Sequence, residues 1–204
     1  MSQFKIYTLE NAPEGSRETL QAISKEMGFV PNVLGEMAAA PAVLEAYRAL
    51  SGAFGRTTLS ITERMVVIMS ASYANGCTYC MAAHTTEAQA AQVDTDVIEA
   101  LRNGEALEDD RLETLRRFTR KVTENRACLD EKDLAKFLDA GYSRAQALEV
   151  VLGVALKTLT NYTNHIAETP LDAQLQPAAW QSPEHDTVEE WAEDKNPAEM
   201  VEHM

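Results

Sequence analysis

The sequence predicts an all-α fold, a bundle of about seven to nine helices followed by an acidic C-terminal tail. Three observations predict it. Apolar residues recur at helical spacing, as in the stripe Leu112, Leu115, Phe118, Thr119 and Val122. Strand-type alternation is absent, and so are hairpin turns between alternating runs. Capping residues and Gly or Pro stops recur at helix-length intervals.

The elements follow in order. Turn signals at Asn11-Ala12-Pro13 and Gly28 bracket a short helix from Ser16 to Met27. Pro31-Asn32 opens the next helix. Pro41 starts a third through Leu50, since proline is tolerated in a first helical turn. Phe54-Gly55-Arg56-Thr57-Thr58 reads as a loop. Ser60, with Glu63 three residues on, is a capping box for an apolar helix from Ile61 to Tyr73. Asn75-Gly76 stops it, and another helix runs from Cys77 to about Gln92. Asp94 caps Thr95–Asn103 and Gly104 ends it. Asp109 or Asp110 opens a charged amphipathic helix to about Asn125. Asp130 to Ala140 follows, closed by Gly141. Ser143 caps a long helix from Arg144 to about Ala167, ended by Thr169-Pro170. The expected organisation is one helical domain over residues 1–180, then a flexible or arm-like tail over 181–204.

Composition narrows the function. The 204 residues carry a net charge of −14, from 18 basic and 32 acidic side chains, without a basic stripe, so nucleic acid is not expected as a partner. Residues 181–204 alone hold eight acidic residues and one lysine, the pattern of a solvated end. No window approaches about 18 uncharged apolar residues, so no membrane span is expected. The N-terminus lacks the apolar run of a secretory signal. The chain is therefore expected in a reducing cytoplasm, where three cysteines do not form a disulfide framework and a close pair reads as catalytic or metal-binding.

That pair is Cys77-Thr78-Tyr79-Cys80, followed by Met81-Ala82-Ala83-His84. Cysteines three apart on a helix share a face and can close a disulfide. His84, four residues past Cys80, falls on that face about 5–6 Å away between Cβ atoms. Its imidazole can take a thiol proton near neutrality. At the start of a helix, Cys77 meets free N–H groups and the positive dipole end, which favour thiolate. Cys77 is therefore expected to be the exposed sulfur and Cys80 its partner, although the attacking and resolving roles can be reversed. Zinc is the main rival reading, but only Cys128 and His165 could complete four ligands and neither forms a pair. Two inert buried thiols are the other rival. The expectation is a catalytic set of Cys77, Cys80 and His84, without metal or organic cofactor. Cys128 is incidental, and Met65, Met69 and Met81 fill the core.

An echo also links two segments. An apolar helix leads to Asn75 and then His84, and another leads through Asn161-Tyr162 to Asn164-His165. The second group is either a structural polar network or part of the cleft.

Leu59-Ser60-Ile61-Thr62-Glu63-Arg64, Asn75-Gly76-Cys77-Thr78-Tyr79-Cys80 and Ala83-His84-Thr85 resemble the AhpD-like branch of the carboxymuconolactone decarboxylase family. So do Gly28-Phe29-Val30-Pro31-Asn32, Leu152 to Thr158 and Asn161 to Glu168. The resemblance covers roughly residues 25 to 180. It implies an AhpD-like helical fold, trimers or hexamers, and a peroxidase-linked disulfide reductase. In that branch the cysteine pair passes electrons from a lipoyl or other thiol donor to a peroxiredoxin, and Cys77, Cys80 and His84 match its redox cysteines and relay histidine. The branch also carries a glutamate twelve residues before its first cysteine, and here that position is Met65. Glu63 lies about 200° around the helix from it and reads as a cap instead. Glu36, Glu45 and Glu168 are candidate replacements. The expected function is thus an alkylhydroperoxidase-like antioxidant thiol–disulfide oxidoreductase acting on a disulfide or hydroperoxide. The alternatives are a decarboxylase-like enzyme acting on a small acid and an oligomeric scaffold with structural zinc.

Overall fold

The computed structural model describes residues 4–183, so most of the expected tail, with His185 and His203, lies outside the described residues. Nine α-helices and one 3₁₀ helix, with no strand, make up the secondary structure of the described residues. They are α1 (Glu14–Met27), α2 (Asn32–Met37), α3 (Pro41–Gly55), α4 (Ile61–Ala74), α5 (Thr78–Ala90), α6 (Thr95–Asn103), α7 (Asp110–Glu124), α8 (Glu131–Asp139) and α9 (Arg144–Ala167). The 3₁₀ helix is Ala173–Ala178.

Helix α4 is the axis of the bundle because it is apolar nearly all round, the composition of a helix enclosed by others. Val66, Val67, Met69 and Ala71 have no accessible surface. It packs chiefly against α7, α5 and α9. Its start is held by the reciprocal bonds the sequence predicts. Glu63 N–H donates to Ser60 Oγ at 3.2 Å, and Ser60 N–H donates to Glu63 Oε2 at 2.7 Å. The other oxygen of Glu63 pairs with Arg111 of α7. Met65, Met69 and Met81 are all buried, as core filling requires.

Helix α9 crosses α3 and α4. It comes close at Gly153, where a Cβ would stand 2.6 Å from Val67 and 2.7 Å from Phe54. That contact corrects one expectation. Phe54 and Gly55 are helical, because burying Phe54 against α9 carries α3 a turn beyond its sequence signal. The 3₁₀ helix is a second correction, since its segment contains Pro177 and has no helical periodicity. Tertiary bonds hold it. Arg102 donates to the carbonyls of Ala178 and Ala179, both at 3.1 Å, and Trp180 Nε1 donates back to Arg102 O at 2.8 Å.

The core has two parts. One surrounds α4, α6, α7 and α8 and includes the stacked rings Phe118, Phe137 and Tyr142. The other gathers α1, α2 and the 3₁₀ helix around Cys77, Tyr79, Cys80 and Ala82. The dithiol segment is thus part of a packed interior, roofed by the two ends of the domain.

Candidate active site

The turn before α5 sets the position of Cys77. Helix α4 ends in a Schellman motif: Cys77 N–H donates to Ser72 O and Gly76 N–H to Tyr73 O, both at 2.9 Å. Gly76 takes the left-handed conformation that motif needs, with φ 61°. The chain then re-enters a helix at once, with Cys77 as N-cap and Met81 N–H bonding back to its carbonyl at 3.0 Å.

Both sulfurs are enclosed. Cys77 is 1% exposed and Cys80 3%, so the expectation of an exposed Cys77 is wrong. Packing of α1, α2 and the 3₁₀ helix over the segment covers it, which the local pattern does not show. The two sulfurs share one donor. Asn164 Nδ2 of α9 lies 3.2 Å from Cys80 Sγ and 3.5 Å from Cys77 Sγ. Thr160 Oγ1, one turn earlier on α9, lies 3.7 Å from Cys80 Sγ.

The electrostatics distinguish the pair. Cys80 is held well below the ordinary thiol range, first by the Cys77 thiol donating to it, then by the charges of Lys157 and His84 and by Thr160, against the cost of burial. Cys77 moves the opposite way, because it keeps the proton it donates to Cys80 and is itself buried. Of the two, Cys80 is thus the sulfur whose ionisation its surroundings favour, contrary to what the helix-start argument suggested for Cys77. Lys157 is a charged group at the site that local reading missed. It is 3% exposed, and a buried ammonium requires a partner and a countercharge. Its Nζ lies 2.5 Å from His84 Nε2. The other ring nitrogen of His84, Nδ1, lies 2.8 Å from Glu87 Oε2. Burial pushes the Glu87 carboxyl up, but its bond to His84 and the charges of His84, Lys157 and Arg64 hold it below the usual carboxylate range.

The carboxylate at His84 is thus Glu87, one turn on, and none of the three expected candidates. Glu36 accepts from Thr169 Oγ1 at 2.5 Å, Glu168 caps α9 with φ 50°, and Glu45 is exposed on α3. Met65, at the position of the family glutamate, borders a cavity with His84, Glu87 and Lys157. Of the second polar segment, Asn161 accepts from Asn75 Nδ2 at 2.9 Å, and His165 Nε2 lies 2.9 Å from Asn75 O. That segment lines the cleft through Asn164 and His165. Cys128 is exposed. Among the described residues no group of three or more His, Cys, Asp or Glu side chains is placed to hold a metal ion. No helix among them is long and apolar enough to cross a membrane.

Tyr79 ties the site to both chain ends. Its hydroxyl donates to Asp172, which also accepts Asn32 N–H at 3.2 Å.

The sequence model of the carboxymuconolactone decarboxylase family matches residues 36–120. No curated protein matches the chain. Three of the solved structures that share its fold are as follows. One is an uncharacterised peroxidase-related protein from Ralstonia eutropha JMP134, described as an alkylhydroperoxidase AhpD core. It has a TM-score of 0.76 and 22% identity, over 85% of this chain and 94% of that one. Another is a peroxidase-related protein from Silicibacter sp. TM1040, with TM-score 0.73 and 22% identity, over 85% and 92%. The third is the debrominase Bmp8, with TM-score 0.73 and 18% identity, over 87% and 96%.

Proposed function

We propose that this chain, AhpD-like in fold and matching the carboxymuconolactone decarboxylase family over residues 36–120, is a thiol–disulfide oxidoreductase that reduces a hydroperoxide or a disulfide. The observation that carries the reading is the setting of the two sulfurs. They share the Asn164 amide, and a buried lysine and an imidazole face only one of them.

In this reading Cys80 attacks. With a hydroperoxide, its thiolate forms a bond to the distal oxygen as the O–O bond breaks, and the alcohol leaves with a proton. Lys157 or His84 is positioned to supply that proton. Cys80 becomes a sulfenic acid, Cys77 attacks its sulfur, and water leaves as the disulfide closes. A thiol donor then returns two electrons. Cys77, Cys80 and His84 are the catalytic residues of the proposal, joined by Lys157. Three cysteines without a disulfide framework are in keeping with a reducing compartment such as the cytoplasm. No step calls for a metal or organic cofactor.

Replacing Cys80 with serine abolishes peroxide-dependent thiol oxidation. Replacing Cys77 with serine leaves a sulfenic acid on Cys80 that dimedone captures. Wild-type turnover in both variants would reject the reading.

Self-association belongs to the same proposal. Leu148, Val151, Tyr162 and Ile166 are exposed on α9, Leu148 by 71% and Ile166 by 70%. At about 100° per residue they fall in one stripe, opposite the face that meets the cysteines.

A further inference from the structure

Two cavities approach the cysteines from different directions. One, of about 510 Å³, has Cys80, Lys157 and Thr160 in its wall and is otherwise mainly apolar, with Phe29, Val33, Leu34, Ala83 and Leu175. The other, of about 830 Å³, reaches Cys77 and is polar, lined by Thr78, Asn164, His165, Thr169 and Ser182. Each cavity holds one cysteine and excludes the other. Tyr79 borders both, and its hydroxyl, bonded to the buried Asp172, pins it there as a partition. Asn164 adds an independent sign of a ligand on the Cys77 side. It is 6% exposed, and its Oδ1 has no hydrogen-bond partner among the described residues. A buried acceptor of that kind suits an incoming S–H donor.

We propose that the dithiol is served from two sides: a bulky apolar oxidant, such as an organic hydroperoxide, meets Cys80 through the apolar cavity, and a small dithiol reductant meets Cys77 through the polar one. The proposal rests on the redox reading above. Oxidation proceeds at Cys80 as described and ends in the Cys77–Cys80 disulfide. In reduction, a reductant thiol held by a hydrogen bond to Asn164 Oδ1 loses its proton to solvent, and its thiolate attacks Cys77 Sγ. A bond from reductant to Cys77 forms, the Cys77–Cys80 bond breaks, and the electron pair goes to Cys80 as thiolate. The reductant's second thiol then attacks its own mixed-disulfide sulfur. The reductant leaves as a cyclic disulfide and Cys77 takes the proton. Attack on Cys77 is also the faster direction, because exchange favours expulsion of the more stable thiolate. Lys157 and Thr160 stand on the Cys80 side to receive that charge.

The test separates the half-reactions by quenched flow with thiol counting, using cumene hydroperoxide as oxidant and dithiothreitol as reductant. Ala83→Leu, which narrows the apolar cavity, slows oxidation by cumene hydroperoxide about tenfold and changes reduction less than about twofold. Ser182→Phe, at the polar cavity, does the reverse. Both variants slowing the same half-reaction would overturn the two entrances while leaving the redox reading intact. A second measurement needs no variant. Oxidised wild-type protein is treated with 2-mercaptoethanol, quenched with iodoacetamide and mapped by mass spectrometry. The mercaptoethanol adduct is expected on Cys77 and the carbamidomethyl group on Cys80, and the opposite placement overturns the proposal. A wild-type chain that forms no Cys77–Cys80 disulfide with the hydroperoxide overturns the redox reading, and the two entrances with it.

Discussion

At Cys80, a sulfur with almost no accessible surface is nonetheless held below the ordinary thiol range, because three groups outweigh its burial: the Cys77 thiol, the Lys157 ammonium and the His84 imidazole. Removing the cation shows its weight. In Lys157→Met the Cys80 titration moves upward, and alkylation by iodoacetamide at pH 7 falls about tenfold for each unit of that movement. An unchanged pH profile would assign the lowering to the Cys77 hydrogen bond instead. Glu36 offers a second test of a buried charge. Burial holds its carboxyl above the ordinary carboxylate value, even though Thr169 donates to it. A raised acid stabilises the fold while it is protonated in both states. That contribution fades as pH rises through the folded-state value, because the unfolded chain ionises first. Glu36→Gln is therefore expected to gain thermal stability relative to wild type as pH rises from 4 to 7, read as the difference in Tm. A constant difference would contradict this. The spacing of Cys77, Cys80 and His84 was legible because it is local to one helix. Lys157 and Thr160 were not, because they arrive from α9 across the fold, and Asn164 from the same helix was legible only as part of a polar group that either braces the structure or lines the cleft. A lone lysine directly after the apolar run Val150 to Leu156 was nevertheless a signal, and Glu87 stands one readable turn beyond His84.

Helix boundaries tell a similar story. Helices α6 and α9 begin and end where Asp94, Gly104 and Ser143 indicate, since caps are chemistry written in adjacent residues. Helix α3 outruns its signal because Phe54 is captured by α9, and the 3₁₀ helix is held by Arg102 from 76 residues earlier in the chain. The close approach of α9 to α3 and α4 rests on Gly153. Gly153→Ala gains about 1 kcal/mol of helix propensity, but its methyl group meets Val67 and Phe54 inside normal contact, an overpacking that costs about 1–3 kcal/mol. The expected net result is a lower denaturant midpoint. Because α9 also carries Lys157 and Asn164, the same variant is expected to slow Cys80 alkylation. A stabilised protein would mean that the helices separate freely at this crossing.

On the scale of the whole molecule, α9 presents two faces with different tasks. Its inner face supplies Lys157, Thr160 and Asn164 to the sulfurs, and its outer face leaves an apolar stripe from Leu148 to Ile166 in solvent. Contiguous exposed apolar surface marks an association site, so the double variant Leu148→Glu, Ile166→Glu is expected to lower the mass measured by light scattering toward that of a 22.5 kDa chain. Equal masses would remove the stripe from the account. The central claim concerns the sulfurs, and a thiol titration in glutathione buffers of graded potential tests it most directly. Alkylation and peptide mapping should show Cys77 and Cys80 lost together at one midpoint, joined to each other, while Cys128 follows independently. Separate midpoints, each cysteine capped by glutathione, would contradict it.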